Sequence, residues 1–237
     1  MQWMSRLWRE YKSVAAFLVL MVVFRSTVVD WNVVPSASML PTILPGDHII
    51  VDKMAYELRV PLTHISAIDF HGPRRGDIVT IDSSAAHELL VKRVIGLPGD
   101  RISMNHNVLY VNGRRAAYQP LGSDLLTGDS GSPAEYQLEH ADGISHRIRL
   151  SVDTPSPRSS FDPLVVPAHE YFMLGDNRDN SADSRYFGFF PRSEIMGRVR
   201  RVAFSLNPDH FYLPRIDRFA ARLDDRPDLT PMATPAG

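Results

Sequence analysis

Two serines stand one residue apart, Ser36 and Ser38, in the proline-flanked stretch VPSASMLPTILPGD at 34–47. In an extended chain, residues two apart point their side chains to the same side. One hydroxyl is then placed to attack a carbonyl carbon, and its neighbour to steady the charge that develops on the carbonyl oxygen. The alternative is a linker of serine and proline without a chemical role, and the pair alone does not exclude it.

A serine hydroxyl is a weak nucleophile, so this chemistry needs a nearby base. The chain has three lysines, Lys12, Lys53 and Lys92, and its other Lys/Arg positions are arginines, which keep their proton at ordinary pH. Lys92 lies in the nearly continuous apolar run of ELLVKRVIGLPGD, 88–100. Burial there lowers the pKa of an amine and lets it accept a proton. The alternatives are a lysine paired with a carboxylate, or a charge protecting an edge strand.

A third stretch, GDNRDNSADSRYFGF at 175–189, crowds charged and amide side chains together. Interleaved charges of both signs suit a rigid loop beside a site, and equally a solvated surface turn. The stretch does not fit a calcium loop, because Arg178 stands at a ligand position and the expected glycine is missing. The nine histidines show no metal spacing and no GxSxG elbow occurs, so we expect no metal, no cofactor and no histidine triad.

Composition excludes several classes of protein. With no cysteine, disulfides, thiolate nucleophiles and cysteine–zinc sites are ruled out. A formal net charge of −1 gives no basic field for nucleic acid, so no nucleic-acid partner is expected. At 237 residues and 44% hydrophobic, the chain is large enough to bury a sizeable core.

The N-terminus predicts a membrane anchor over 14–34. Residues 14–24 are apolar without interruption, and Trp8 and Trp31 flank them at the spacing of two interfacial belts. Cleaved signal peptide and buried core helix are the alternatives. Basic residues precede the run, which places residues 1–13 in the cytoplasm and exports the rest: Arg6, Arg9 and Lys12.

After the anchor, alternating apolar residues predict a mainly β fold, with an antiparallel β domain and a smaller inserted β/loop region. LPGD at 44–47 and 97–100 predicts type II turns, and Asn112-Gly113 a tight hairpin. The predicted strands cover 47–54, 77–82, 88–95, 107–112, 146–152, 170–174 and 197–206. The predicted divisions are the first part of the β domain at 35–112, the insert at 113–167, the second part at 168–214, and a C-terminal helix with a disordered tail at 215–237.

Taken together and in this order, PSASMLPTILPGD, RRGDIVTI, LVKRVIGLPGD and GDNRDNSADSRYFGF resemble the sequence boxes of type I signal peptidases, the leader peptidases of bacterial membranes. The resemblance implies a serine endopeptidase that removes signal peptides from exported preproteins after Ala-x-Ala sequences. It also implies a single-pass protein of the bacterial plasma membrane, with the catalytic domain on the periplasmic face. The implied partners are signal peptides, the lipid bilayer and the protein-export machinery.

The resemblance also assigns roles to residues. Ser38 matches the nucleophile, Lys92 the general base, and Ser36 the hydroxyl that joins the Ser38 backbone N–H in the oxyanion hole. The other matched positions support this Ser–Lys dyad: Ser181, which orients the lysine, the Asp183–Arg185 ion pair, and its structural neighbours Asp176 and Arg178.

Some features depart from the family pattern, and two other functions are consistent with parts of the sequence. Ala37 stands where glycine is common, and one spanning segment is visible where some members have two. One alternative is a membrane-tethered β-rich binding or scaffold protein with a degenerate peptidase site. The other is a self-cleaving Ser–Lys repressor, which needs a DNA-binding helix-turn-helix where this chain has an apolar segment.

Overall fold

The computed structural model of the chain describes residues 2–60, 63, 66–122 and 133–223. Helix α1 covers Gln2–Thr27, and α2, at Ser184–Phe187, is one turn long. The strands are β1 Val29–Val33, β2 Asp47–Asp52, β3 Glu57–Arg59, β4 Ser66–Asp69, β5 Ile78–Ser83, β6 Glu88–Gly96, β7 Arg101–Asn105, β8 Val108–Val111, β9 Arg114–Arg115, β10 Ala117–Gly122, β11 Ala134–Ala141, β12 Ile144–Ser151, β13 Phe161–Val165, β14 Glu170–Leu174, β15 Phe190–Pro191, β16 Ile195–Asn207 and β17 Leu213–Pro214.

A large antiparallel sheet forms the body of the protein, with strand order β1-β2-β16-β5-β6-β14-β15 and β17 paired to β16. Three smaller sheets accompany it, β13-β7-β8-β9, β10-β11-β12 and β3-β4. The pairs between these strands are antiparallel. The predicted mainly β, antiparallel fold is confirmed.

The turns predicted from LPGD and Asn-Gly are also confirmed. Gly46 and Gly99 have φ of 87° and 88°, a left-handed conformation that type II turns require at this position. Each turn closes with an N–H of the aspartate donating to the leucine carbonyl, 3.0 Å in both. Asn112 and Gly113 both have positive φ, as a two-residue hairpin between β8 and β9 demands.

The predicted anchor extends too far toward the C-terminus. Helix α1 ends at Thr27, and Val29–Val33 forms β1, an edge strand paired with β2. Val29, Trp31 and Val33 alternate with polar residues, a period of two that suits a sheet edge better than a helix. In the part of the chain that the structure describes, no helix combines the length and apolarity that crossing a bilayer requires.

The C-terminal helix predicted within 215–237 is wrong over its described part, residues 215–223. Only Ile216–Arg218 forms a turn of 3-10 helix, and the rest runs beside β16. Its backbone bonds to the edge of that strand, with the Ala220 N–H donating to Ala203 O at 3.2 Å and Val202 N–H to Ala221 O at 2.9 Å. Strand edges need partners, and this tertiary pairing overrides the helical spacing of the apolar residues. Residues 224–237 of the predicted helix and tail lie outside the described residues.

The insert does not separate at the predicted boundary of 113. The sheet β13-β7-β8-β9 joins residues before that point to the strand Phe161–Val165. One apolar cluster also links Ile102 and Leu109 of this sheet to Phe172 and Leu174 of the main sheet. The region therefore packs as an extension of the principal domain, and Ala141 of β11 belongs to the same apolar cluster. Its residues 123–132 are outside the described part.

Candidate active site

Strand β6 carries a lysine into the interior of the main sheet. It lies between β5 and β14, with Lys92 opposite Val79. Leu90, Lys92 and Val94 alternate along the strand and face the same side. The lysine is only 2% exposed, and Arg93 on the other face is 5% exposed. Around this position the strand is buried on both faces, as its apolar sequence predicted.

The two predicted serines meet this lysine. Ser38 Oγ lies 2.8 Å from Lys92 Nζ, although the residues are 54 positions apart. Ser36 Oγ lies 3.3 Å from Ser38 Oγ. The hydroxyls share a side because residues 36–40 form a bend and a turn, with the Leu40 N–H donating to Ala37 O at 3.1 Å, and not because the segment is extended as expected.

Burial lowers the pKa of Lys92 from 10.5 to about 8. Removal from water is the dominant cause, since it penalises the charged amine. The negative charges of Asp183, Glu88 and Asp176 act in the opposite direction, and Arg185 adds to the lowering. A neutral amine is then accessible near neutral pH and contacts the Ser38 hydroxyl, which is the arrangement of a general base and its nucleophile.

Lys53, the other lysine that follows the predicted anchor, lies elsewhere. Its Nζ is 3.4 Å from Asp30 Oδ2 and donates to Ser26 O at 3.4 Å. These contacts hold it at the junction of α1 and β1. Of the three lysines, Lys92 is the one that the structure brings to Ser38.

Asp183 and Arg185 form the predicted ion pair. Arg185 Nε and Nη2 donate to the two Asp183 oxygens, each at 2.8 Å. Asp183 also caps α2 by accepting from the Arg185 N–H, and it accepts from the Gly175 N–H at 3.0 Å. Both side chains are buried, and the bonds of Asp183 to Gly175 and Arg185 tie the two ends of the loop 175–185 together.

Asp176 and Arg178 do not pair with each other. Arg93 Nε and Nη2 donate to the Asp176 carboxylate at 2.8 and 2.7 Å, and Thr42 Oγ1 also donates to it. The residue after the lysine therefore fastens the loop 175–185 to β6. No sequence pattern predicted this role for Arg93, although its place in the apolar run indicated that it is buried.

Arg178 is fully buried against Glu139 of β11. Its Nη1 and Nη2 donate to the two carboxylate oxygens of Glu139 at 2.8 and 2.6 Å, and neither side chain is exposed. His146 of β12 lies beside them, and burial together with the charges of Arg93 and Arg178 holds its pKa well below its usual range. No sequence pattern pointed to Glu139 or His146, because a contact across 39 residues leaves no local signal.

Ser181 and Gly175 lie next to the nucleophile. A Cβ on Gly175 would approach Ser181 Oγ to 2.2 Å and Ser38 O to 2.5 Å, so only glycine allows this approach. The buried Ser181 Oγ has no hydrogen-bond partner within the described residues, and the structure does not place it in a bond with Lys92. Within the same residues, no group of acidic residues or histidines could hold a metal ion.

Comparison with known proteins agrees with this site. The family model described as "Signal peptidase, peptidase S26" matches residues 7–204. Signal peptidase I of Pseudomonas aeruginosa is 35% identical over 87% of this chain and 76% of its own length. Signal peptidase I of Pseudomonas fluorescens is 36% identical over the same shares. A solved signal peptidase I from Enterococcus faecalis, 28% identical, covers 55% of this chain and 98% of its own with a TM-score of 0.33, too low to support an argument.

The matched family model spans most of the chain, and two relatives exceed 30% identity over most of both sequences. These matches do not favour a degenerate scaffold or a self-cleaving repressor. The chain belongs to the signal peptidase family, peptidase S26, and is a serine endopeptidase that removes signal peptides from preproteins.

Proposed function

We propose that this protein cleaves signal peptides through an acyl-enzyme on Ser38, with Lys92 as the general base. The observation that carries the proposal is the 2.8 Å contact between Ser38 Oγ and a buried amine whose pKa is lowered to about 8. A serine with such a base is activated without histidine.

The reaction divides into two transfers. Neutral Lys92 takes the proton of Ser38 Oγ as that oxygen attacks the scissile carbonyl, and the Ser36 hydroxyl and the Ser38 N–H donate to the resulting oxyanion. The C–N bond breaks as the lysine returns the proton to the leaving amine. Lys92 then deprotonates a water that attacks the ester, and Ser38 regains its proton as the signal peptide leaves.

The supporting residues act through the dyad. Ser181, whose buried hydroxyl lacks a hydrogen-bond partner among the described residues, is proposed to steady the Lys92 amine once Ser38 has been acylated. Asp183 and Arg185 hold the loop 175–185 closed, while Asp176 fixes it to β6 through Arg93. Arg178 joins the same loop to β11.

The substrate is proposed to bind as an added strand. β14 pairs with β6 only at Arg93–Gly96, so among the described residues Glu88–Val91 has no second neighbouring strand. An extended peptide adds to such an edge through its backbone. The residue before the cut and the residue two positions earlier then face the enzyme, which gives the Ala-x-Ala preference. Leu89, 47% exposed, and half-buried Val91 are candidate walls, whereas Met39 is buried in the core.

A peptide series tests this binding mode and the function together. Otherwise identical preprotein peptides are varied at one of the three positions before the cut, and cleavage by the detergent-solubilised protein is followed by mass. Large side chains at the two outer positions should abolish cleavage, and the middle position should tolerate them. A middle position as restrictive as its neighbours contradicts strand addition, while cleavage that persists in Ser38→Ala contradicts the proposed nucleophile.

We also propose that the protein is a single-pass protein of the bacterial plasma membrane, with a cytoplasmic N-terminus, a periplasmic catalytic domain and contact with the export machinery. The apolar side chains of α1 that are described as exposed support this, Val14 and Phe17 to Val22. Near its end, the Arg25 guanidinium lies 4.3 Å over the exposed Trp31 ring, a pairing suited to an interface.

Exposed apolar side chains on the C-terminal segment support a bilayer partner as well. Phe211, Ile216 and Phe219 are 97%, 84% and 72% exposed. Flotation with vesicles of phosphatidylethanolamine and phosphatidylglycerol tests both features. The full chain should float and a chain lacking residues 1–27 should float only weakly. If the truncated chain no longer floats while Phe211→Ser and Ile216→Ser float as well as the wild type, α1 alone contacts the lipid and the C-terminal segment does not.

A further inference from the structure

The nucleophile segment is tied to the loop 175–185 by one residue that the proposed mechanism does not use. The Asn177 backbone N–H donates to Ser38 O at 3.1 Å, and its side-chain Nδ2 donates to Ala37 O at 3.0 Å. Asn177 is 1% exposed, so water does not replace these donors readily. Two successive carbonyls, at the nucleophile and just before it, accept from this residue, and the Leu40 N–H also donates to Ala37 O at 3.1 Å.

The two bonds to Ala37 O, from Leu40 N–H within the turn and from Asn177 Nδ2 across to the loop, fix the direction of a neighbouring N–H. The Ala37 carbonyl and the Ser38 N–H belong to the same peptide unit, and in a planar trans peptide they point in opposite directions. With the carbonyl held toward Asn177, the Ser38 N–H is aimed away from it. Within the described residues this N–H has no acceptor, so it is open to an incoming oxyanion.

Asn177 is itself held by a strand of the inserted region. The Arg149 N–H donates to Asp176 O at 2.9 Å, and the Arg178 N–H donates to Arg149 O at 3.0 Å, forming a parallel bridge around Asn177. Arg149 Nη1 lies 3.5 Å from Asn177 Oδ1. This contact directs the oxygen of the amide toward β12 and leaves its NH₂ facing Ala37.

We propose that Asn177 is a positioning residue that aims the Ser38 N–H at the oxyanion, with β12 of the inserted region holding it in place. The proposal rests on the proposed function, since it assumes that Ser38 N–H stabilises the transition state. An interaction made only with the oxyanion changes kcat and leaves KM nearly unaffected.

Asn177→Ala removes the side-chain donor and keeps the backbone bond to Ser38. Loss of one oxyanion donor costs on the order of 10²–10³ in turnover, so a donor that is only misaimed should cost about 10–10² in kcat. Asn177→Asp preserves the shape and the oxygen facing Arg149 but replaces the donor with an acceptor, and should lose at least as much. Retention of kcat within about threefold by a folded Asn177→Asp overturns the proposal even if Asn177→Ala fails to fold.

Asp179→Ala is the matched control. Asp179 belongs to the same loop and accepts from Asn107 Nδ2, Ser151 N and Ser156 N, yet it does not contact the nucleophile segment. Its loss should lower the melting temperature without lowering kcat by more than about threefold. If Asp179→Ala loses kcat as severely as Asn177→Ala, loosening of the loop explains both results and the positioning role is wrong.

Acylation by p-nitrophenyl acetate separates this inference from the proposed function. The ester transfers its acetyl group to Ser38 Oγ and releases p-nitrophenolate, which needs the oxyanion hole but no peptide-binding edge. Acetylation is followed by intact mass, with Ser38→Ala as the blank. A slower reaction in Asn177→Ala than in Asp179→Ala supports the proposal even if the wild type fails to cut preproteins. Equal rates in the two variants overturn it.

Discussion

The pH dependence of cleavage follows from the environment of Lys92. Its pKa of about 8, against 10.5 for an ordinary lysine, leaves about 9% of the amine neutral at pH 7 and about 90% at pH 9. An unperturbed lysine would be neutral in only about 0.03% of molecules at pH 7. Burial therefore raises the fraction of neutral amine at pH 7 about 300-fold. Because the neutral amine is the base, activity rises with pH.

We therefore expect kcat/KM for a preprotein peptide to rise about 90-fold from pH 6 to pH 9, with its midpoint near 8. The assay uses detergent-solubilised protein in buffers of constant ionic strength, with one peptide that is cleaved rapidly and one that is cleaved slowly. Both should show the same midpoint when proton removal limits the rate. A flat profile for both substrates, or a midpoint below 6, would refute the assignment of the base.

Removing the charge of Glu88 provides a second test of the Lys92 pKa. This exposed carboxylate raises the pKa of Lys92, so Glu88→Gln should move the midpoint to lower pH without touching the dyad. Added salt should shrink the difference between the two proteins, because exposed charges are screened. Lys92→Arg, which cannot deprotonate, should fold and fail to cleave at every pH. Substantial cleavage by that variant would exclude Lys92 as the base.

Two further outcomes are expected. Ser36→Ala should lower turnover on the order of 10²–10³ with little change in KM, and Ser36→Thr, which keeps the hydroxyl, should lose less; equal damage from both in a kinetic assay would point to packing instead. Because the folded-state pKa of Lys92 is depressed, its burial costs roughly 3 kcal/mol below pH 8, and this cost disappears as pH rises toward 10.5. Urea unfolding should therefore show wild type gaining stability relative to Lys92→Met over that range, and a constant difference would contradict the lowered pKa.

Local features of the fold were predictable from the sequence because they depend on neighbouring residues. Alternation predicted β2, β5, β6, β14 and β16 close to their observed bounds. The LPGD and Asn-Gly turns followed from the positive φ that only a few residues adopt without strain. The same kind of reasoning failed at 215–223, where the hydrogen bonding of a distant strand edge decided the conformation.

The candidate site was likewise predictable only in part. Residue types and spacing made Ser36, Ser38 and Lys92 candidates, because burial can lower the pKa of a lysine enough for it to act as a base, and the resemblance to type I signal peptidases assigned their roles. The distances of 2.8 Å between Lys92 Nζ and Ser38 Oγ and 3.3 Å between Ser36 Oγ and Ser38 Oγ could be known only from the folded structure. The same holds for the lowered pKa of Lys92, which burial in the folded sheet produces.

The contacts that hold the site in place were decided by tertiary structure alone. Arg93 reaches Asp176 across 83 residues, Arg178 reaches Glu139 across 39, and Asn177 reaches Ala37 across 140. The sequence determined which side chains could do the chemistry, since that depends on their functional groups. Which of them meet depends on how strands far apart in the chain pair, and a buried charge finds its partner only after that pairing has formed.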